Sequence, residues 1–130
     1  MRRSEEREQA FILLFEGMFS EVDPNQTLEI YSENVGEVSV WAKAVYQGVT
    51  EQKETIDKVI ERYSKGWKIN RISKVDLSVL RLAVYEIMCL DDIPDSVSIN
   101  EAVELAKKYA GIEDASFING ILGSYVRGKE

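Results

Sequence analysis

The chain of 130 residues contains no histidine. This absence removes the commonest general base, the Ser-His and Cys-His nucleophile pairs, and the most usual zinc ligand. The sequence also lacks a glycine-rich phosphate loop, a CxxC pair and a nucleophile elbow. We therefore predict a protein that has no catalytic residues, no metal site and no cofactor.

Cysteine and long apolar runs are also scarce. The single cysteine, Cys89, has no partner for an internal disulfide, and its apolar helical surroundings predict that it packs as a small hydrophobic residue. No stretch approaches the roughly 18 uninterrupted apolar residues that a membrane helix needs. These features predict a soluble, single-domain protein of the reducing cytoplasm, with no membrane partner.

The charge is negative in total and unevenly distributed. The formal net charge of −7 argues against a protein that holds nucleic acid by charge alone. Residues 16–37 contain six acids and no basic residue, whereas residues 62–81 carry six cations opposed only by Asp76. With Tyr63 and Trp67, this basic segment has the composition to bind phosphates and stack a base, although such side chains more often only cover an apolar surface. The six cations are Arg62, Lys65, Lys68, Arg71, Lys74 and Arg81.

Apolar residues recur at helical spacing along nearly the whole chain, and no strand-like alternation is present. Residues 75–90 are apolar almost all round, which predicts a helix in the middle of a bundle. The fold class is therefore predicted to be all-α. Helix starts are expected at Ser4, Asp23 with Pro24, Thr50, Ser73 with Asp76, Ser98 with Glu101, and Asp114.

Four segments of the sequence, in order, resemble the NusB family of bacterial transcription antitermination factors. They are RRSEEREQAFILLF, RYSKGWKINRISKVDLSVLRLAVYEI, DIPDSVSINEAVELAKKYA and SFINGILGSY. The most specific parts are VLRLAVYEI, the IP followed by INEAVELAK, and the F-x-NG-x-L near the end. The resemblance implies a compact bundle of about seven helices in two helical subdomains, forming one NusB-like RNA-binding domain over residues 1–130.

The resemblance also implies partners. Members of that family bind the boxA element of ribosomal RNA leader transcripts, a single-stranded RNA, together with NusE, which is a small-subunit ribosomal protein. The pair recruits other Nus factors to RNA polymerase, which are therefore expected as indirect partners. A homodimer is a further option, because some members of the family self-associate by covering their binding surface.

Carried over position by position, the resemblance implies two sets of binding residues. The RNA-binding set would be Arg2, Arg3 and Arg7 at the N-terminus, with Asp114 and Phe117 near the start of the last helix. The set that faces NusE would be Phe15 and Asp76.

Each of these residues also has a plain structural explanation. Asp114 suits a helix cap and Phe117 a core position, while Glu5 and Glu6 cancel the charge of the N-terminal arginines. The family's N-terminus carries a denser arginine run than this chain, in which Ser4, Glu5 and Glu6 interrupt it. We therefore expect a low intrinsic affinity for RNA and a stronger reliance on NusE.

Two other functions fit the same sequence. The first is the NusB-like domain that is attached to RNA cytosine methyltransferases, although the sequence shows no cofactor-binding βα unit after the last predicted helix. The second is a protein-only interaction module, which the acidic residues 16–37 and the interrupted arginine run favour.

Overall fold

The computed structural model describes residues 1–19 and 23–129. Within these residues the chain forms six α-helices and one turn of 3₁₀ helix at Ile69–Arg71, and no β-strand. The prediction of an all-α bundle of about seven helices is confirmed. The α-helices are α1 (Arg3–Gly17), α2 (Pro24–Asn34), α3 (Val40–Tyr63), α4 (Lys74–Cys89), α5 (Asp95–Tyr109) and α6 (Ile112–Gly128).

Helix α4 lies at the centre of the bundle, as its apolar circumference predicted. It packs against α1, α3, α5 and α6. Its buried residues include Val79, Leu80 and Val84, none of which exposes any surface to solvent. The helices form an N-terminal subdomain, α1–α3, and a C-terminal subdomain, α4–α6. Because an apolar helix must be covered on every face, α4 packs against helices of both subdomains and so holds them together. None of the described helices has the length and apolarity that crossing a bilayer requires.

Two of the predicted helix starts are confirmed in atomic detail. The Asp23 carboxylate accepts a hydrogen bond from the backbone N–H of Gln26 at 3.0 Å, and Pro24 occupies the first helical position of α2. The Ser73 hydroxyl oxygen accepts from the backbone N–H of Asp76 at 3.1 Å, which caps α4. Both caps satisfy donors that have no partner within their own helix.

The predicted helix start at Thr50 is wrong. Helix α3 runs unbroken for 24 residues, and the Thr50 hydroxyl donates to the carbonyl of Tyr46 at 2.8 Å. Threonine can satisfy its hydroxyl in this way inside a helix as well as at a cap. Two of the predicted helices are therefore one.

The predicted capping box of Ser98 and Glu101 is also wrong. Helix α5 begins three residues earlier, at Asp95 after Pro94, so that Ser98 lies inside the helix and is buried. Residues three apart lie on the same face of a helix, and both side chains here turn towards neighbouring helices rather than towards a helix end. In the same way, Ser4 and Asp114 lie in the first turns of α1 and α6 instead of at the caps. Cys89, which was expected to pack in the core, is exposed at the last residue of α4.

A buried ionic network joins α1 to α4 and α5. The Arg7 side chain, in a residue only 3% exposed, donates from Nε to both carboxylate oxygens of Glu86 at 3.0 Å. It also donates from a terminal nitrogen to Glu101 at 3.1 Å, and the Ser98 hydroxyl donates to Glu86 at 3.0 Å. Since Glu86 is 1% exposed, its charge depends on these donors for stabilisation.

Removing Arg7 should therefore destabilise the protein strongly. Arg7→Ala leaves the Glu86 carboxylate buried without its cation, and we expect the free energy of unfolding to fall by about 3–5 kcal/mol. Arg3→Ala, on the same helix, removes only a partly exposed pair with Glu6 and should cost less than about 1 kcal/mol. Urea denaturation of the two variants measures both values, and equal losses would contradict the proposed role of the network.

Candidate nucleic-acid interface

A cleft of about 360 Å³ lies where the segment before α4 meets the start of α4 and the start of α6. Two of the predicted RNA-binding residues, Asp114 and Phe117, line this cleft together with Asp76, which was predicted to face a protein partner. The structure thus brings residues of both predicted sets to one place. The rest of its lining is formed by Trp67, Arg71, Ile72, Ser73 and Glu113.

The backbone of the segment that follows α3 is held by Ser64. Its buried hydroxyl donates to the carbonyl of Trp67 at 2.6 Å, and the N–H of Trp67 donates back to the Ser64 carbonyl at 3.2 Å. Between them, Lys65 and Gly66 have positive φ angles of 53° and 93°, which make the tight turn. The Trp67 side chain is therefore presented on an ordered turn.

Trp67 and Phe117 form an aromatic pair at the rim of the cleft. Their ring centroids are 6.1 Å apart and the ring planes meet at 73°, an edge-to-face arrangement. Trp67 is 51% exposed while Phe117 is partly buried, so that the Phe117 ring packs against the core and the Trp67 ring faces solvent. An exposed indole beside acidic and basic groups offers a stacking surface to a planar ligand.

Asp76 and Asp114 form a close carboxyl pair inside this cleft. Asp76 is only 5% exposed, and its Oδ1 atom receives no hydrogen bond from the described residues. Burial, followed by the hydrogen bond and the charge of Asp114, raises the pKa of Asp76 from 3.8 to about 7, against a smaller opposing effect of Ser73. Two neighbouring carboxyl groups cannot both ionise cheaply, so Asp76 keeps its proton up to near-neutral pH.

The N-terminal arginines form a second, separate patch. Arg2 is paired with Glu5 at 3.3 Å and Arg3 with Glu6 at 3.0 Å. The Arg3 guanidinium also lies 4.5 Å from the centre of the Trp41 ring, a cation–π contact. Arg2 and Arg3 are exposed and could reach a phosphate once these acids are displaced.

The prediction that Arg7 contacts RNA directly does not agree with its position. Its guanidinium is buried between α1, α4 and α5, and Glu86 and Glu101 neutralise its charge. Glu86 follows Asp76 by ten residues on α4, a separation of about 15 Å at 1.5 Å per residue. The arginine patch and the cleft therefore lie towards different ends of the central helix.

Phe15, the other residue predicted to face a protein partner, belongs to an aromatic row that runs along α1 and just beyond its end. Its ring lies 6.1 Å from that of buried Phe11 and 4.8 Å from that of exposed Phe19. The Lys74 ammonium lies 5.6 Å from the centre of the Phe19 ring, which connects this row to the start of α4. Sequence reasoning did not select Phe19, although its spacing of four residues from Phe15 was the available signal.

Sequence reasoning also selected Trp67 and Arg71 only as parts of a long basic segment. Their proximity to Asp76 and Phe117 depends on how α6 packs beside the start of α4, which local spacing does not reveal. In the sequence, only the basic and aromatic composition of this segment indicated that it could bind RNA.

Six helices in two subdomains, with α4 at the centre and a cleft at the start of α4 and α6, define a helical bundle of the NusB type. A sequence model of the NusB family matches residues 4–127. The chain belongs to the NusB family.

Individual relatives agree with this assignment. The transcription antitermination protein NusB of Acetivibrio thermocellus is 56% identical over 105 residues, which cover 81% of this chain and 72% of that protein. The solved structure of T. maritima NusB superimposes with a TM-score of 0.89 at 36% identity, covering 98% of this chain and 92% of that one. The structure of antitermination factors NusB and NusE in complex with dsRNA gives a TM-score of 0.84 at 26% identity, covering 98% and 99% of the two chains.

The carboxyl pair predicts an unusual dependence of stability on pH. Because the pKa of Asp76 is about 7 in the folded protein and near 3.8 in the unfolded chain, the folded state binds the extra proton between these values. The stabilisation from this group is complete below about pH 4 and is lost as the pH rises to about 7 and above. Asp76→Asn should remove this loss.

We therefore expect Asp76→Asn to be more stable than the wild type at pH 8, by about 1 kcal/mol or more, and this advantage to shrink towards pH 4. The exposed Asp92, replaced by asparagine, is the matched control and should follow the wild type at every pH. Denaturant unfolding at several pH values measures the difference. Parallel pH curves for Asp76→Asn and the wild type would exclude a proton held by the pair.

Proposed function

We propose that the chain is a transcription antitermination factor that binds single-stranded boxA RNA of ribosomal RNA leader transcripts together with NusE. In this function it helps to assemble the antitermination complex on RNA polymerase, with other Nus factors as indirect partners, in the cytoplasm and without catalysis. Its family membership and its similarity to a NusB in a solved complex with NusE and dsRNA support this proposal.

The cleft is the observation that carries the proposal. Asp114 offers a carboxylate that can accept hydrogen bonds from the amino group of a base, and Trp67 with Phe117 offers aromatic surface for stacking. An unpaired base suits this chemistry better than a paired one, because its Watson–Crick edge is free to donate. The cleft therefore favours a single-stranded segment.

Phosphate contacts are assigned to the exposed Arg2 and Arg3. In this proposal Arg7 has a positioning role, because its bonds to Glu86 and Glu101 hold α1, which also carries Arg3, against α4 and α5. Phosphate contacts of this kind fix where an RNA strand lies on the protein, but they do not distinguish one base sequence from another.

The surface for NusE is assigned to Phe15 and Asp76, extended by Phe19. The exposed Phe19 ring and the neighbouring Lys74 lead from Phe15 to the start of α4. Asp76 lines the cleft beside Asp114. The proposed partner and RNA surfaces therefore adjoin, which gives a route for each ligand to affect the other.

A protein-only interaction module is the second candidate. The pairing of Arg2 and Arg3 with glutamates and the burial of Arg7 favour it, because little free positive charge is left at the N-terminus. A homodimer that covers the same surface is a variant of this candidate.

The proposal predicts that NusE strengthens RNA binding. We expect the affinity for a boxA oligonucleotide, measured by fluorescence anisotropy at fixed salt, to rise about tenfold or more when NusE is present, which corresponds to about 1.4 kcal/mol of coupling. A scrambled oligonucleotide of the same length is the control for charge alone. Equal affinity with and without NusE would contradict the coupling, and no binding in either state would favour the protein-only module.

A further inference from the structure

The cations between α3 and α4 differ sharply from those at the N-terminus. Lys65, Lys68 and Arg71 are exposed, and none of them forms an ion pair with a carboxylate of residues 1–19 or 23–129. By contrast, Arg2 and Arg3 are each paired with a glutamate on their own helix. The described surface therefore carries more uncompensated positive charge between α3 and α4, where Arg71 lines the cleft, than at the N-terminus.

Arg81 shows that this difference is not a property of the whole basic segment. Its guanidinium is buried and donates to both oxygens of Asp57, at 2.8 and 2.9 Å. It therefore stabilises the packing of α4 on α3. Lys65, Lys68 and Arg71 are exposed and form no such ion pair within the described residues.

The segment of residues 65–74, which we name the connector, is anchored at several points. The Ser64 hydroxyl bonds hold its beginning, the backbone N–H of Ile69 donates to Glu61 at 3.3 Å, and the side chain of Ile72 is buried. Trp67, Lys68 and Arg71 thus project from a backbone that is already ordered, so that ordering costs little when a ligand binds.

We infer that the connector is the main phosphate-binding element for RNA in this chain. Lys68 and Arg71 neutralise the phosphates on either side of a nucleotide whose base enters the cleft, and Trp67 stacks on a neighbouring base. This inference rests on the proposed RNA-binding function and gives that function a site which compensates for the interrupted N-terminal arginine run.

The charges inside the cleft distinguish RNA from an acidic peptide as the ligand. Arg71 shares the cleft lining with Asp76, Glu113 and Asp114, and these acids repel a carboxylate that enters between them. A nucleotide places hydrogen-bond donors and an aromatic face in the cleft while its phosphates stay outside on the cations. The alternation of acidic, aromatic and basic groups therefore matches a nucleotide strand.

The test compares three pairs of substitutions by titrating a fluorescent boxA oligonucleotide in the presence of NusE at several salt concentrations. Lys68→Ala with Arg71→Ala should weaken binding about tenfold to a hundredfold and lower the salt slope by about 1.4, or 0.7 per lost phosphate contact. Arg2→Ala with Arg3→Ala should have a smaller effect on both quantities. Lys43→Ala with Lys53→Ala, exposed positions on α3, should leave both unchanged.

Tryptophan fluorescence locates the RNA independently. The chain has two tryptophans, and Trp41 lies beside Arg3 whereas Trp67 lies at the cleft. RNA should quench the emission of the wild type and of Trp41→Phe, and the quenching should be lost in Trp67→Phe. Quenching that persists in Trp67→Phe and disappears in Trp41→Phe would place the RNA on the N-terminal patch and overturn the inference.

The two proposals fail in different ways. Wild-type protein that binds no RNA, with or without NusE, overturns the proposed function and this inference with it. Wild-type protein that binds RNA, with a salt slope that is unchanged in Lys68→Ala with Arg71→Ala and reduced in Arg2→Ala with Arg3→Ala, overturns only the connector. Thermal melts of each variant, expected to match the wild type, exclude misfolding as the cause of a loss.

Discussion

The bidentate ion pair of Arg7 and Glu86 is the interaction on which the arrangement of the two subdomains depends. A carboxylate that is 1% exposed is stable in the core only if its charge and lone pairs are satisfied, and Arg7 with Ser98 supplies those bonds. Since Arg7 comes from α1 and Ser98 from α5, the requirement holds both helices against α4. It also explains why an arginine in a basic N-terminus is not available at the surface.

The two ends of α4 satisfy buried carboxyl groups in opposite ways. Glu86 is paired with the guanidinium of Arg7, whereas Asp76 lies beside Asp114 in the cleft, and its Oδ1 has no donor among the described residues. A buried charged group whose hydrogen bonds are all made within the protein contributes only to stability. A carboxyl group at the wall of a cleft that still lacks a hydrogen-bond donor can accept one from a ligand. The same central helix thus carries a structural site near one end and a candidate binding site at the other.

The position of that binding site connects the family resemblance to the particular charges of this chain. The resemblance to the NusB family implied RNA binding by an arginine-rich N-terminus. In this chain, glutamates interrupt that run of arginines. In the described part of the chain, the connector instead carries exposed cations without an ion pair, on an ordered turn with an exposed tryptophan. Cations at the connector supply phosphate attraction that the interrupted N-terminal run lacks, because that attraction depends on the number of cations near the strand more than on their order in the sequence.

Helical spacing and composition alone determined the all-α class, the central position of α4 and the caps at Asp23 and Ser73, because each follows from residues within one or two turns. Local patterns failed at Thr50 and at Ser98 with Glu101, where the same spacing serves inside a helix. Only the tertiary structure decided that Arg7 is buried, since its partner Glu86 lies 79 positions away, and that Asp76 and Asp114 share one cleft. Burial and charge pairing depend on which helices meet, and no local spacing encodes that.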